Sequence, residues 1–339
     1  MSKLRVGIMS FAHLHAEGYI QNLRSMPDIE YIGFADHDAE RLEKFGKQFD
    51  SKTYPDYAAL LAEKPDAVII CSENNKHREL VELAASAGCH ILCEKPIATN
   101  EADGQAMIKA CADANVNLMI ALPMRFSATA QQIKASLAKE GMGKIFCANT
   151  TNQGENPDYH RAWFSDKTLA GGGAVMDHTV HVVDLLRWYM NAEPIEVYAE
   201  VDNLFNKDNR LDVDTAGLLM ITFDNGVFVT LDTSWSRPSF YPTWGNVKID
   251  LIAERGVLRT DYFNQKLTVY EDQQQKPLWH FWGSDPNQGM IEEFFASIRE
   301  NRPPLITGED GLAALKVVLA AYDSAKQHDV VSIEHNNKS

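Results

Sequence analysis

The sequence predicts two architectures in series: an α/β region with a parallel sheet over residues 1–122, then an α+β region over residues 123–330 built on a large, predominantly antiparallel sheet. Three observations carry this reading. Up to Leu122, short apolar runs alternate with amphipathic helical periods, which is the pattern of βαβ units. Beyond that point the texture turns β-branched and aromatic, and all six Trp lie from Trp163 onward. At 339 residues the chain also exceeds the usual size of one domain.

The elements follow in order. Leu4, Val6 and Ile8 alternate as a strand, and Ser10 opens a turn into a helix over about 12–25. The apolar run 29–35 is a second strand ending at Asp36, and Asp38 is placed to cap the next helix, in which Ala39, Leu42 and Phe45 keep a helical period. The rhythm continues through a strand at 67–71, a helix at 77–87, a strand at 90–93, a helix at 101–114 and a strand at 116–122. Such a Rossmann-type sheet receives a nucleotide across the C-terminal ends of its strands.

The glycine fingerprint of such sites is absent. In the register that starts at the strand end, Ser10, Ala12 and His15 occupy the three glycine positions, and Asp36 follows Ser10 by 26 residues. Ser10 and Ala12 keep the loop small, whereas His15 demands a wider helix–strand junction. A carboxylate after the second strand accepts both adenosine ribose hydroxyls and repels a 2′-phosphate, so NAD is favoured and NADP stays open; the other reading of Asp36 is a helix cap or turn residue. Ser10, Phe11, Ala12, His13 and Asp36 are the cofactor contacts expected at this edge, joined by Ser72, Asn74 and His77 after the third strand. Glu94 and Lys95, after the fourth strand, are further expected cofactor contacts, and Pro96 biases Lys95 towards an extended backbone at the strand tip.

The second region is organised around residues 171–188, GGGAVMDHTVHVVDLLRW. Three glycines precede a helix with apolar residues on nearly every side, which should be buried. Asp177, His181 and Asp184 nevertheless fall at i, i+4 and i+7 on one face. A buried helix must pair such groups or use them. The other reading is a core histidine held by a carboxylate, and His178 lies on a neighbouring face where packing explains it as well as ligand contact. Strands are expected at 143–151, 195–204, 216–223, 227–235, 247–253, 257–259 and 267–270, with Asp224-Asn225-Gly226 as a hairpin turn. Helices are expected at 290–299 and 309–326, the second returning towards the first region.

A formal charge of −15, from 32 Lys+Arg against 47 Asp+Glu, argues against a nucleic-acid or anionic-membrane surface. No apolar stretch approaches membrane-spanning length, and the N-terminus leads into a strand rather than a signal sequence, so a cytoplasmic protein is expected. Five Cys without a CxxC read as buried thiols.

Taken together, these motifs resemble the Gfo/Idh/MocA oxidoreductases, the family of glucose–fructose oxidoreductase and inositol dehydrogenase. The resemblance rests on AGCHILCEKPIA at 87–98, Arg125-Phe126 after the fifth strand, the GGG-xxx-D-xxx-H run, and the later ITFDNGVFVTLDTSW. It implies that Lys95, Asp177 and His181 are catalytic, that Asp36 meets the adenosine ribose, and that the second sheet forms a homodimer or homotetramer. The reaction implied is reversible oxidation of a secondary alcohol on a small polyhydroxylated substrate: a sugar, an inositol or a derivative. His181 would be the general base, Lys95 would stabilise the alcohol oxygen, and Asp177 would orient the hydroxyl or His181. Arg125 at the crossover is suited to the cofactor side of the interdomain cleft or to plain hinge packing. No metal is expected; a zinc site drawn from His13, His15, Asp177, His178 and His181 is the runner-up chemistry. The competing class is a catalytically inactive cofactor-binding sugar sensor.

Overall fold

A computed structural model of the chain describes residues 2–138, 141–205, 211–271, 276–281 and 283–334. It divides into two compact units: Met1–Leu122 with Thr168–Gly171 and Asn287–Leu312, and Pro123–Lys167 with Gly172–Pro286 and Ala313–Ser339.

The first unit winds β1 (Leu4–Met9), α1 (His15–Ser25), β2 (Ile29–Ala35), α2 (Ala39–Gln48), β3 (Thr53–Tyr54), α3 (Tyr57–Ala62), β4 (Ala67–Ile70), α4 (His77–Ser86), β5 (His90–Glu94), α5 (Glu101–Asp113) and β6 (Leu118–Ala121). The strand order is β3-β2-β1-β4-β5-β6, and every neighbouring pair is parallel. The order reverses at β1, which leaves a crevice beyond the C-terminal ends of β1, β2 and β4. Helices on both faces bury the central strands throughout, which is why these read as unbroken apolar runs. Asp38 caps α2 as expected, accepting from the backbone N–H groups of Glu40 and Arg41. The short β3 and α3, absent from the sequence reading, close the sheet's edge.

The second unit begins with α6 (Ala128–Ala138), a helix its polar and small residues concealed, and β7 (Ile145–Glu155). After the single turn α7 (Lys167–Ala170) comes the long helix α8 (Ala174–Met190), then β8 (Pro194–Asp202), β9 (Ala216–Phe223), β10 (Phe228–Arg237), β11 (Lys248–Ala253), β12 (Gly256–Asp261), β13 (Lys266–Glu271) and β14 (Lys276–Phe281). Seven strands form one sheet in the order β12-β11-β7-β10-β9-β8-β15, where β15 is Val331–Ser332. Only β7 and β10 run parallel; the other neighbours are antiparallel. Strand β13, expected alone, pairs with β14 as a separate hairpin.

Alternation along β9 shows how α8 is seated. Gly217, Leu219, Ile221 and Phe223 point inward, and Gly217 lies so close to Val175 of α8 that a Cβ would overlap it. Leu218 and Met220 face outward, 64% and 50% exposed. Gly226 carries the positive φ of the expected β9–β10 turn.

Two further helices follow, α9 (Pro286–Arg299) and α10 (Gly308–Gln327). Residues 287–312 belong to the first unit. There Asn117 donates to Ser297 Oγ and the Arg302 carbonyl, Met119 bridges Thr307, and a Cβ on Gly311 would overlap Ile120. Among the described residues no helix is long and apolar enough to cross a membrane. All five cysteines are free thiols, four of them buried.

Candidate active site

In the first unit the chain leaves β1 through Ser10, whose φ of +72° is the left-handed conformation a fingerprint glycine would adopt. An L-residue pays for this with local strain, and Ser10 offsets it through its side chain: Oγ accepts from Ala12 N–H at 3.1 Å and donates to Asp36 at 3.2 Å. The rest of the loop is likewise tied inward. Phe11 N–H donates to Asp36 at 2.7 Å, His13 N–H to the Cys71 carbonyl at 2.8 Å, and His15 N–H to His13 Nδ1 at 3.2 Å. The Phe11 ring packs on Phe34 and Phe45 in the core, so only its backbone belongs to the edge.

Asp36 is 2% exposed and organises this edge. Besides the loop it receives Asp38 N–H at 2.8 Å and Arg41 Nη2 at 3.0 Å. Arg41 in turn reaches Glu73 at 3.0 Å, a residue the sequence reading passed over inside a polar loop. In that loop Ser72 Oγ donates to the Glu73 carbonyl and Asn74 Nδ2 to the Ala170 carbonyl, so both have structural partners. Glu73 Oε2, Asn74 Oδ1 and Asn75 Oδ1 are buried acceptors that meet no donor among the described residues.

At the tip of β5, Glu94 is fully buried. It accepts from Tyr19 OH at 2.7 Å, faces His15 Nδ1 at 3.0 Å and lies 3.9 Å from His13 Nε2. Burial pushes its carboxyl up, but His13 and His15 outweigh this and hold it well below the usual carboxylate range. Glu94 also accepts from the backbone N–H of Lys95, itself 3% exposed. The next peptide, Lys95–Pro96, is cis. His77, expected at the cofactor, supports this turn through Nδ1, which donates to the Pro96 carbonyl at 2.9 Å; burial pushes its pKa down and favours the neutral ring. His13, His15 and Glu94 are the one group of three metal-capable donors among the described residues, with donor atoms within 4.8 Å of one another. Within the trio His13 Nδ1 accepts from His15 N–H and His15 Nδ1 meets Glu94, while His13 Nε2 stays 3.9 Å from Glu94.

In the second unit the glycine run ends against backbone. A Cβ on Gly173 would fall on the Asp214 carbonyl, and one on Gly172 would strike Tyr322. Asp214 caps α8 through the N–H groups of Gly173 and Val175, both at 2.8 Å, and accepts from Tyr322 OH at 2.7 Å. Along α8 the row of ionisable residues is divided. Asp177 Oδ2 lies 3.3 Å from Trp235 Nε1 and 3.2 Å from His178 Nε2, while His178 Nδ1 donates to the Asn152 carbonyl. Asp184 closes a two-point ion pair with Arg125, Nε to Oδ2 at 2.8 Å and Nη2 to Oδ1 at 2.5 Å, with both groups buried. Arg125, expected at the cofactor or in hinge packing, thus holds Asp184 through Nε and Nη2. His181, between the two acids, is half-buried.

Comparison with known proteins agrees with this arrangement. The profile of the oxidoreductase family with an NAD-binding Rossmann fold, Gfo/Idh/MocA, matches residues 4–122, and the C-terminal domain profile of the same family matches residues 130–259. The myo-inositol 2-dehydrogenase of Thermotoga maritima is 28% identical over 98% of this chain and 99% of its own. The D-apiose dehydrogenase of Paraburkholderia graminis is 28% identical over 97% and 88%. The solved structure of GenD2 from gentamicin A biosynthesis, in complex with NAD, superposes with a TM-score of 0.89 at 20% identity, covering 99% of this chain and 97% of that one. With both halves matched and the parallel sheet, the buried Glu94-Lys95-Pro96 turn and α8 in place, the chain belongs to the Gfo/Idh/MocA oxidoreductase family.

Proposed function

We propose that the protein is an NAD-preferring dehydrogenase acting reversibly on a secondary alcohol of a sugar, inositol or related polyol. Lys95 carries this reading: a lysine only 3% exposed at the C-terminal end of β5, in a domain matched by an NAD-binding family profile. Bound NAD would accept the hydride from the carbinol carbon; all else falls to the chain. Lys95 donates to the alcohol oxygen and stabilises its developing negative charge. His181 takes the hydroxyl proton, work suited to an imidazole near neutral pH. Asp177, anchored through Oδ2 by Trp235, orients the hydroxyl or His181.

The residues expected to hold the dinucleotide are Ser10 to His13, Asp36 and the loop from Ser72 to His77. The fit rests on the bare buried acceptors of Glu73, Asn74 and Asn75, which suit a group rich in hydroxyl donors. The relatives' inositol and apiose activities support the substrate class. The outward Leu218, Met220 and Phe228 support a homodimer or homotetramer through the second sheet, and five free thiols suit the reducing cytoplasm.

One observation favours a second reading. The loop's N–H groups from Phe11 to His13 are all satisfied internally, which a sensor that binds the cofactor and never turns over would tolerate. Titration with NAD and NADP beside a reduced-nicotinamide absorbance screen of inositols, aldoses and sugar acids decides between them. Reduction of NAD by one polyol is expected; tight cofactor binding with no turnover across the panel would establish the sensor instead.

A further inference from the structure

Arg41 lies between two carboxylates delivered by different strands. Nη2 meets Asp36 Oδ1 and Nη1 meets Glu73 Oε1, each at 3.0 Å. The acids differ in what remains open to them. Asp36 already accepts from Ser10, Phe11, Asp38 and Arg41. Glu73, 5% exposed, uses Oε1 for Arg41 and keeps Oε2 buried with no donor among the described residues. A buried carboxylate oxygen left bare calls for a donor from outside the chain. His37 stands over both acids, 3.6 Å from Asp36 and 3.8 Å from Glu73, and Tyr57 OH lies 3.1 Å from His37 Nδ1. Two carboxylates against one guanidinium leave the cluster with an excess of negative charge.

From this we infer that Glu73 sets the dinucleotide preference. Its Oε2 accepts a hydroxyl of the adenosine ribose, and its Oε1 holds Arg41 against Asp36, so that the guanidinium is withheld from a 2′-phosphate. The inference rests on the cofactor reading above. It assigns discrimination to a residue after β4, where the sequence pattern places it only on Asp36 after β2.

The test is isothermal titration of the full chain with NAD and with NADP, comparing wild type, Glu73→Gln and Arg41→Ala, with thermal melts to confirm folding. Glu73→Gln keeps the shape, removes one negative charge and frees Arg41, so the NAD-to-NADP affinity ratio should fall by about tenfold or more, chiefly through tighter NADP binding. Arg41→Ala should move the ratio the other way, and it carries the test alone should Glu73→Gln fail to fold. A ratio unchanged in the folded variants, with NAD binding intact, overturns the role of Glu73 and leaves the dehydrogenase reading standing. If the wild type binds neither dinucleotide, the cofactor reading falls and this inference with it.

Discussion

Arg125 and Arg41 both lie against buried carboxylates, but Arg125 meets one and Arg41 meets two. Around Arg125 one guanidinium faces one carboxylate through two parallel contacts, and both groups are buried. Around Arg41 an acid is left over, one of its oxygens is bare, and the guanidinium side chain is 20% exposed. A matched buried pair needs nothing further and serves the fold. An unmatched one implies a missing partner, and the first unit's crevice is where such surplus gathers.

The largest effect should come from breaking the matched pair. Arg125→Ala strands Asp184 as a buried charge and should cost about 3–5 kcal/mol in urea unfolding. The loss from Arg41→Ala should be clearly smaller, because water reaches that site. Equal losses would erase the distinction between the two clusters. Lys95→Ala sharpens the contrast from the other side. It should lower the hydride-transfer rate by about 100- to 1,000-fold, the usual effect of removing one charge-stabilising donor, with no comparable loss of stability. A normal single-turnover rate in this variant would remove Lys95 from the chemistry.

Acid separates the two units in a different way. Burial pushes the pKa of His77 and of His90 below the ordinary 6.5, and both rings have structural work as neutral groups: His77 donates to the Pro96 carbonyl and His90 accepts from Asn117 N–H. Their folded pKa values lie under the unfolded one, so below 6.5 the unfolded chain binds more protons. Stability from these groups is full above pH 6.5 and is lost as pH falls from there, with a limiting slope of about 1.4 kcal/mol per pH unit for each histidine. Both belong to the first unit, so hydrogen exchange at pH 5.5 should show β4, β5 and the Pro96 turn losing protection before α8 and its sheet. Equal loss in both units would mean that these two histidines do not govern the acid limb.

What could be read from the sequence follows the same division. The strands β1, β2, β4, β5 and β6 and the helix α8 were legible because burial leaves a largely unbroken apolar period in the chain itself. Lys95 and the Asp177/His181 face were legible because local rules place them: a proline fixes the one, and helical spacing aligns the other. The Arg41–Glu73 contact was not, since it joins residues 32 apart through the order β2-β1-β4, and Arg41 sits in a helix whose surface pattern looks ordinary. Asp214 as the cap of α8 and Trp235 as the anchor of Asp177 were hidden for the same reason, being 39 and 58 residues from their partners. Strand β14 and helix α6 were missed on local grounds, for neither shows a clean period.

The smallest effect concerns the loop that lost its glycines. Ser10→Gly would relieve the strain of an L-residue at φ +72°, worth about 1–2 kcal/mol. It would also remove the hydroxyl that accepts from Ala12 N–H and donates to Asp36, two bonds worth about 0.5–1.5 kcal/mol each. These terms nearly cancel, so stability should change by less than about 1 kcal/mol. Binding is different. The substitution releases one loop N–H and one acceptor position on Asp36 at the crevice, so dinucleotide affinity in a calorimetric titration should rise while the melting temperature hardly moves. A large loss of stability with no gain in affinity would show that Ser10 is a strut of the loop, and that the absent glycine was replaced for structure rather than at the expense of binding.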